Sequence, residues 1–580
     1  MQEQQASLSD NGSAGTADGD LTPGQQTGTP ESGGRVRRRR WIIFAGIDVL
    51  VPFAVFAARV GTWTLNPFAA PRMLRFDWVT YISAPNFLRA APTLTFPIGR
   101  TPDYMAPVGS SLGLADASPY MTPAYRLLNF LSPDHPTQIL GLLVLASYLL
   151  TFFWSVKFLR RAYVSMRGQP PSLLVDIEIR VAGALLLLLP VFTSRISHVA
   201  LTQQWILIAA LYCALFCRQT SRRHDRYVLA VCLGAAVLHP YFVVPVVAIS
   251  APYLFRRFRH EWRRGLVLGA VIAGGIIGIG FVLGYLAVGT STTNAGYGDY
   301  SADLAFLVNP QGSSNALPDI PYAPDTWEGI GFVGLGVLIV LVAAAAAMLC
   351  RRSTLRPSRT LVAVGVACIV LALFAAWPTI HFAGHRLVDL SDGPFSLEFI
   401  GNVFRTNGRF VWSLTWLVAL GVCAVVVAAR WPALLGLGVL TAATVVQLVD
   451  GEQFKFLDRG SADYQQVAGL LLDEKSRGAT SVQVQPPWIQ YACVPLEIPF
   501  DDLAPVLLAA AVWELPINSG YPGRPAPDFG TEICWEQANQ FALGSYEPDV
   551  LYVVNRANAA VAQLSCRPLL HDLVACRDAS

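Results

Sequence analysis

The first feature of this sequence able to do chemistry is a carboxylate set among aromatic residues just after a long apolar stretch. It is Asp77, in RFDWVTY at 75–81. At the edge of a membrane, between Phe76, Trp78 and Tyr81, such a carboxylate would be partly desolvated and suited to taking a proton from a hydroxyl. A plainer role fits the same residues: Asp77 starting a juxtamembrane helix, with Trp78 and Tyr81 as interfacial anchors. Two more acids, Asp103 and Asp116, follow in FPIGRTPDYMAPVGSSLGLADASPY at 96–120. Asp116 precedes Pro119 and an apolar stretch, so capping a helix would also explain it.

Further along, FRTNGRF at 404–410 places Arg405 and Arg409 four residues apart. They share a face if the stretch is helical, and guanidinium groups suit bidentate contact with phosphate. Arginines at the end of a span also simply reach for lipid headgroups. His239 and Tyr241 stand in LHPY at 238–241, where a His beside Pro is commonly structural. His198 closes TSRISH at 193–198, shortly before Gln203 and Gln204, and could line the same cavity. His381 and His385 in HFAGHR have i, i+4 spacing, but no third ligand is near in sequence, so no metal site is assigned.

The elements that must position these residues are membrane helices. With 580 residues, 53% hydrophobic, 14% charged and a mean hydropathy of +0.44, the chain is too apolar for a soluble protein of its size. Its net charge of +3 is carried almost wholly by Arg, Lys occurring only as Lys157, Lys455 and Lys475. Nothing in it resembles a nucleic-acid binder. Residues 1–34 are Gly-, Ser-, Thr- and Gln-rich and read as a disordered tail, followed by the basic run RVRRRR at 35–40. That run holds the N-terminus in the cytoplasm, before an uncleaved first span at 41–60.

Spans of roughly 20 residues then fit at 138–156, twice within 181–217, in a helical hairpin turning at LHPY, and near 265–288, 329–350, 360–379, 411–429 and 432–449. The Arg-bearing turns at 157–161, 218–226, 256–264 and 351–359 all fall on one side. The expected fold is thus an all-α polytopic domain of about eleven transmembrane helices over 41–450. It leaves three outer segments, 61–137, 289–328 and 380–410, and an extracytoplasmic α/β domain over 451–580. Span interiors are expected to be nearly free of charge apart from Asp48. In the last domain SVQVQ, VLLAAAVWELPI and DVLYVV read as strands or short buried elements. Its cysteines, Cys493, Cys534, Cys566 and Cys576, could form two disulfides in an oxidising compartment, with three connectivities open.

The pieces FPIGRTPDYMAPVGSSLGLADASP, HVALTQQWILIAALY, VLHPYF, FLVNPQGSSNALPDIP with WEGIGFVGLG, and FRTNGRFVW occur in that order within residues 41–450. Together they resemble the GT-C superfamily of membrane glycosyltransferases. The resemblance is closest to a bacterial GT-C-like family of multi-spanning membrane proteins that has no assigned chemistry of its own. The resemblance implies sugar transfer from a polyprenyl-phosphate donor to a cell-envelope glycan or lipid acceptor, outside the bacterial plasma membrane. It implies an acidic general base in the first outer loop, a position that Asp77 matches. Many members carry an Asp-Glu pair there, whereas Trp78 follows here, so a metal role would need Asp103 or Asp116 as second carboxylate, and the need for a divalent metal stays open. On this reading Asp77 is the base and Asp116 its reserve. Arg405, Arg409 and His239 hold the donor phosphate, while His198, Tyr241 and Asp103 contact substrate. The Tyr-, Trp- and Asn-rich loop at 291–328 suits a carbohydrate. Two other classes stay in view, a transporter or flippase of lipid-linked glycans and a non-catalytic glycan-binding membrane protein. A transporter would show ionisable residues inside several spans and an internal repeat.

Overall fold

The computed structural model describes residues 31–580 apart from 76, 93–94, 218–219, 287–296, 299, 351–357, 393–395, 398–403, 405, 452–460, 490–492, 496, 524–530 and 579–580. Two compact units divide the chain, Met1–Ile47 and Asp48–Ser580. Helix α1 (Glu31–Arg59) begins in the first and ends in the second.

The first large loop carries α2 (Trp78–Asn86), a two-stranded ribbon of β1 (Arg100–Thr101) with β2 (Ser110–Ser111), and α3 (Thr122–Leu131). A helical series follows: α4 (Leu140–Arg167), α5 (Leu173–Leu187), the single turn α6 (Pro190–Thr193), α7 (Trp205–Phe216), α8 (Arg222–Leu238), α9 (Pro240–His260) and α10 (Trp262–Val282). After the second outer segment come α11 (Leu335–Leu349) and α12 (Arg359–Ala375), then the hairpin β3 (Thr379–Phe382) and β4 (His385–Asp389). Helices α13 (Trp412–Val427) and α14 (Ala433–Asp450) complete the series. Local chemistry sets several of these starts. Ser172, Ser221 and Ser358 accept from Val175, His224 and Leu361 N–H groups at the N-termini of α5, α8 and α12.

Among the described residues, five helical stretches are long and apolar enough to cross a membrane. They are Leu140–Arg167, Val199–Phe216, Trp262–Val282, Asn407–Val427 and Ala433–Asp450, and α11 and α12 are shorter apolar helices. The protein buries only 17% of the α10 span, leaving Leu266, Val267, Ile277 and Phe281 exposed. Contiguous apolar surface of that kind belongs in a lipid environment.

The break expected at LHPY is present. Helix α8 ends at Leu238, His239 is extended (φ −170°, ψ 140°), and α9 starts at Pro240. The two form a hairpin, since Asp225 in the first turn of α8 accepts from Tyr253 Oη at 2.7 Å and Arg257 Nη2 at 3.0 Å near the end of α9.

The region after α4 departs from expectation. Helix α5 begins at Leu173 and carries Asp176, Glu178 and Arg180, so Asp48 is not alone within the apolar helices. Arg180 grips Asp48 through Nε at 2.7 Å and Nη2 at 3.1 Å, a bidentate pairing that offsets the cost of burying the guanidinium. Residues 188–204 form α6 and a 3-10 turn at Val199–Thr202 instead of a tight turn. Irregular backbone survives there because its polar groups are satisfied by protein: Gln204 donates to Val191 O and accepts from Trp416 Nε1, both at 2.8 Å.

The C-terminal part combines α15 (Ser461–Ser476), β5 (Ser481–Gln485), α16 (Phe500–Val512), α17 (Thr531–Ala542), β6 (Val550–Asn555), β7 (Ser565–Leu570) and β8 (Leu573–Arg577). Strand order is β5-β6-β8-β7, with β5 parallel to β6 and the other pairs antiparallel. The run VLLAAAV, legible as strand or buried element, lies within α16: Ala and Leu favour helix, and the whole stretch is buried. Helix α16 packs on α2, and backbone bonds from Ile517 N to Asp103 O (2.8 Å) and Ala106 N to Ile517 O (2.7 Å) dock this part on the first outer loop.

Of the three possible connectivities, the disulfides are Cys493–Cys534 and Cys566–Cys576. The second joins register partners on β7 and β8. They close separations of 41 and 10 residues, for which chain entropy predicts about 4 and about 3 kcal/mol of stabilisation. Replacing Cys493 and Cys534 by Ser should therefore lower the thermal midpoint of the C-terminal part more than replacing Cys566 and Cys576. Protease susceptibility of the full chain against temperature reads this, and the reverse order would reject the loop-entropy account.

Candidate active site

Asp77 occupies the N-cap position of α2, yet its side chain makes no capping bond. Its Oδ2 instead stands 3.0 Å from His198 Nδ1, in the irregular segment before α7. Trp78 and Tyr81 are buried in protein, and Trp78 Nε1 donates to Ile196 O at 2.8 Å, which locks α2 onto the segment carrying His198. Their proposed role as interfacial anchors is therefore replaced by a packing role.

Asp116 is not a cap either. It adopts φ +59°, a backbone region that residues other than glycine seldom occupy, and its Oδ1 lies 2.7 Å from His239 Nε2. His239 is the N-cap of α9, where its Nδ1 accepts from Tyr241 N at 3.2 Å. With Nδ1 accepting, Nε2 carries the hydrogen and donates it to Asp116. The His239 ring also stacks on Tyr241. Burial alone would raise the Asp116 carboxyl, but the facing His239, Arg409 and His198 outweigh it and hold it well below the usual carboxylate range.

A second charged cluster adjoins these pairs. Glu328, in the turn Pro324–Gly329, is bound by Arg195 from one side and Arg409 from the other. Arg195 Nη1 meets Glu328 Oε2, and Arg195 Nη2 donates to the Glu328 carbonyl at 2.9 Å. Arg409 reaches Oε1 through Nη2 at 3.2 Å and Oε2 through Nε at 3.4 Å. All three side chains are buried, with exposures of 3%, 4% and 9% for Arg195, Glu328 and Arg409. Burial would push the Glu328 carboxyl up, but Arg195, Arg409 and His198 bring it down to about 2. His198 Nε2 is 4.0 Å from Glu328 Oε1, and burial pushes this imidazole below its ordinary range against the pull of Asp77 and Glu328. Arg409 comes from the 3-10 turn Asn407–Val411 and lies over the Tyr241 ring at 4.7 Å. That turn sits tightly because Gly408 N donates to Tyr300 O at 2.9 Å, and a Cβ on Gly408 would lie 2.6 Å from the same oxygen.

These groups face a cavity of about 720 Å³. Asp77, Asp116, His198, His239, Glu328 and Arg409 line it beside Tyr81, Tyr241, Tyr285, Tyr300, Trp327 and Phe404. The C-terminal part supplies wall as well, through Tyr521 and Gly523. Thr80 Oγ1 donates to Tyr521 O at 2.7 Å, and Tyr521 N donates to Tyr104 Oη at 2.8 Å. A wall of aromatic faces interrupted by acids and one guanidinium can hold a polar ligand with apolar C–H faces and an anionic group.

Six of the sequence-derived candidates, Asp77, Asp116, His198, His239, Tyr241 and Arg409, therefore meet at one cavity. Asp103 does not. It is half-buried where the first outer loop meets the C-terminal part, with its carboxyl pushed up by burial and by Glu514, because Ile517 binds its backbone oxygen there. Arg405 lies outside the described residues. His381 and His385 belong to the β3–β4 hairpin, so helical i, i+4 spacing does not apply to them. Among the described residues no group of three or more His, Cys, Asp or Glu side chains could hold a metal. Glu328 and Arg195 were missed. The available signals were a lone acid in WEG just before an apolar span, and a lone Arg in TSRISH between two apolar runs.

Comparison with protein families matches residues 49–452 to a family described as a domain of unknown function (DUF6311), and residues 471–577 to the DUF6311 C-terminal domain. Comparison with curated proteins gave no match.

The lowered Glu328 carboxyl makes stability depend on acid. Its contribution is present above pH 4.5 and lost as pH falls through about 2, on the order of 3 kcal/mol. Glu328→Gln leaves two buried guanidiniums without their counter-charge, a loss of about 3–5 kcal/mol. Thermal unfolding in detergent should show a lower midpoint for the variant at neutral pH and a shallower decline below pH 4.5. Parallel pH curves for the two proteins would remove Glu328 from this role.

Proposed function

We propose that this chain, which belongs to the DUF6311 family, is a GT-C-like membrane glycosyltransferase. It moves a sugar from a polyprenyl-phosphate donor to a cell-envelope glycan or lipid acceptor. The observation that carries the reading is the convergence of Asp77, Asp116, His198, His239 and Arg409, from four well-separated chain segments, on one aromatic-walled cavity. Chain separation that large makes accidental convergence of acids, imidazoles and a guanidinium hard to arrange.

In this reading Asp77 takes the proton of an acceptor hydroxyl through Oδ1, the oxygen not engaged with His198. The hydroxyl oxygen bonds to the anomeric carbon as the bond from that carbon to the phosphate oxygen breaks. The polyprenyl phosphate departs with the bonding electrons, and attack from the opposite face inverts the configuration. Arg409 is tied to Glu328 through Nε and Nη2, so it offers the phosphate Nη1, which has no protein partner among the described residues. The Asp116–His239 pair holds the start of α9 and with it Tyr241, whose hydroxyl accepts from Thr406 N at 3.1 Å, keeping the Arg409 turn in place. No divalent metal is assigned a step.

The same reading takes α1, α4, α5 and α7 to α14 as about eleven crossings, with the N-terminus cytoplasmic and the C-terminal part outside the bacterial plasma membrane. The two disulfides of that part fit an oxidising compartment.

Purified protein supplied with polyprenyl-phosphate sugars and candidate acceptors tests the assignment. Asp77→Asn should lower turnover by roughly 10²–10⁴, whereas Asp134→Asn, at an exposed position away from the cavity, should leave it unchanged. Equal turnover in both variants would remove Asp77 as the base. Lipid-linked glycan crossing a vesicle membrane without any transfer would favour a transporter.

A further inference from the structure

A second cavity, of about 380 Å³, lies at the other end of the helix bundle. Helices α5 and α13 connect the two sites. The first runs from this cavity toward the segment bearing His198, and the second runs back from the Arg409 turn, each spanning about 22–24 Å at 1.5 Å per residue. Its wall is formed by the end of α4, the link to α5, the second turn of α5 and the connection between α13 and α14.

Three polar side chains in this wall make no hydrogen bond or ion pair among the described residues. Glu178 is 2% exposed and lines the cavity, and its Oε1 has no hydrogen-bond partner. Gly436 packs against this carboxyl group, since a Cβ there would come within 3.2 Å of Oε2. Arg167, at the last turn of α4, and the buried Tyr163 also line the cavity, and no hydrogen bond or ion pair engages either among the described residues. A buried carboxylate without a partner is costly, and the half-buried Arg167 guanidinium lines the same cavity without an acid to pair with among the described residues. Together they ask for a ligand with a hydrogen-bonding cation at one end and an anion at the other.

The surroundings indicate what carries that head. Leu173 and Leu174 at the start of α5, and Leu434 and Leu435 at the start of α14, are exposed by 44%, 41%, 71% and 51% beside the cavity. Exposed leucines on both flanking helices offer a surface for acyl chains. We propose that this cavity binds the headgroup of an aminophospholipid. Its primary ammonium donates to Glu178, its phosphate meets Arg167 and Tyr163, and its chains lie along the leucines. A primary ammonium has N–H groups for the carboxylate; a quaternary one has none.

The test is lipid retention by the full chain. Protein reconstituted in nanodiscs of equimolar phosphatidylethanolamine, phosphatidylcholine and phosphatidylglycerol is released and its bound lipids are counted by native mass spectrometry. Phosphatidylethanolamine should be retained about tenfold over phosphatidylcholine, the value of one hydrogen bond to a charged group. Glu178→Leu, which removes the acceptor, should abolish that preference, and Arg167→Ala should weaken retention of phosphatidylethanolamine. Equal retention of the three lipids by the wild type, which needs no variant to fold, would overturn it. So would a preference that survives Glu178→Leu.

Discussion

The architecture around the cavity depends on one buried carboxylate shared by two guanidiniums. Glu328 joins three segments that otherwise have little reason to meet: the irregular run before α7 through Arg195, its own turn, and the turn before α13 through Arg409. Bringing three charges out of water costs several kcal/mol per ion, and only near-complete mutual hydrogen bonding offsets it. Tryptophan and tyrosine rings close the remaining sides, with Arg195 over Trp412 at 5.3 Å and Arg409 over Tyr241 at 4.7 Å. Because one carboxylate answers two cations, the cluster keeps one net positive charge next to Asp77 and Asp116. The electrostatics of the site thus follow from the contact that fixes its shape.

Other buried acids extend the same device to the outer loops. Asp303 accepts from Ala305, Ala383 and Gly384 N–H groups at 2.8–3.0 Å, tying the β3–β4 turn to the segment before Glu328. Asp450, at the end of α14, accepts from Ser314 Oγ at 2.7 Å and from Asn315 and Ala316 N–H groups at 3.1 and 2.8 Å. Arg59 at the end of α1 donates to Leu448 and Gly451 carbonyls at 2.9 and 3.2 Å. Long loops lose much conformational entropy on ordering, and these acids offset it by satisfying several backbone donors at a time. Ordered loops, in turn, hold Trp327, Glu328 and Tyr300 at fixed positions on the cavity wall.

Helical order and the break at His239 were legible because each has a local cause: apolar runs bounded by Arg, and Pro240 restricting the residue before it. Asp77 and Asp116 were legible as candidates, but not as site residues in preference to caps. What decides between the roles is the presence of His198 and His239 opposite them, a fact of tertiary packing. Glu328 escaped notice for a related reason. Alone in WEG it reads as a turn residue, and only two arginines distant in sequence give it meaning. Asp103 misled because acids in one loop look alike, while the docking of Ile517 onto its backbone, which takes it out of the cavity, involves no side-chain pattern at all. The start of α5 was misplaced because Asp176, Glu178 and Arg180 lower its apparent hydropathy, although Arg180 is neutralised by Asp48.

On the proposed reading, charge balance also orders the events of the reaction. Arg195 and Arg409 stand against Glu328, Asp77 and Asp116, which leaves one net negative charge at the cavity wall while the two histidines are neutral. A phosphate-bearing donor adds to that charge, so its binding is favoured when an imidazole takes up a proton. Burial keeps His198 below its ordinary range, and Asp77, 3.0 Å away, with Glu328 at 4.0 Å, stands ready to stabilise the cation once formed. On this reading an arriving phosphate adds a negative field that favours the imidazolium form of His198, which links donor binding to proton uptake. A protonated His198, on the same reading, donates its hydrogen to Asp77 Oδ2, and that proton passes toward the departing phosphate as Asp77 Oδ1 accepts one from the acceptor hydroxyl. The 3.0 Å contact is then, on this reading, a coupling as well as a brace, because it ties the base to the charge on the donor side.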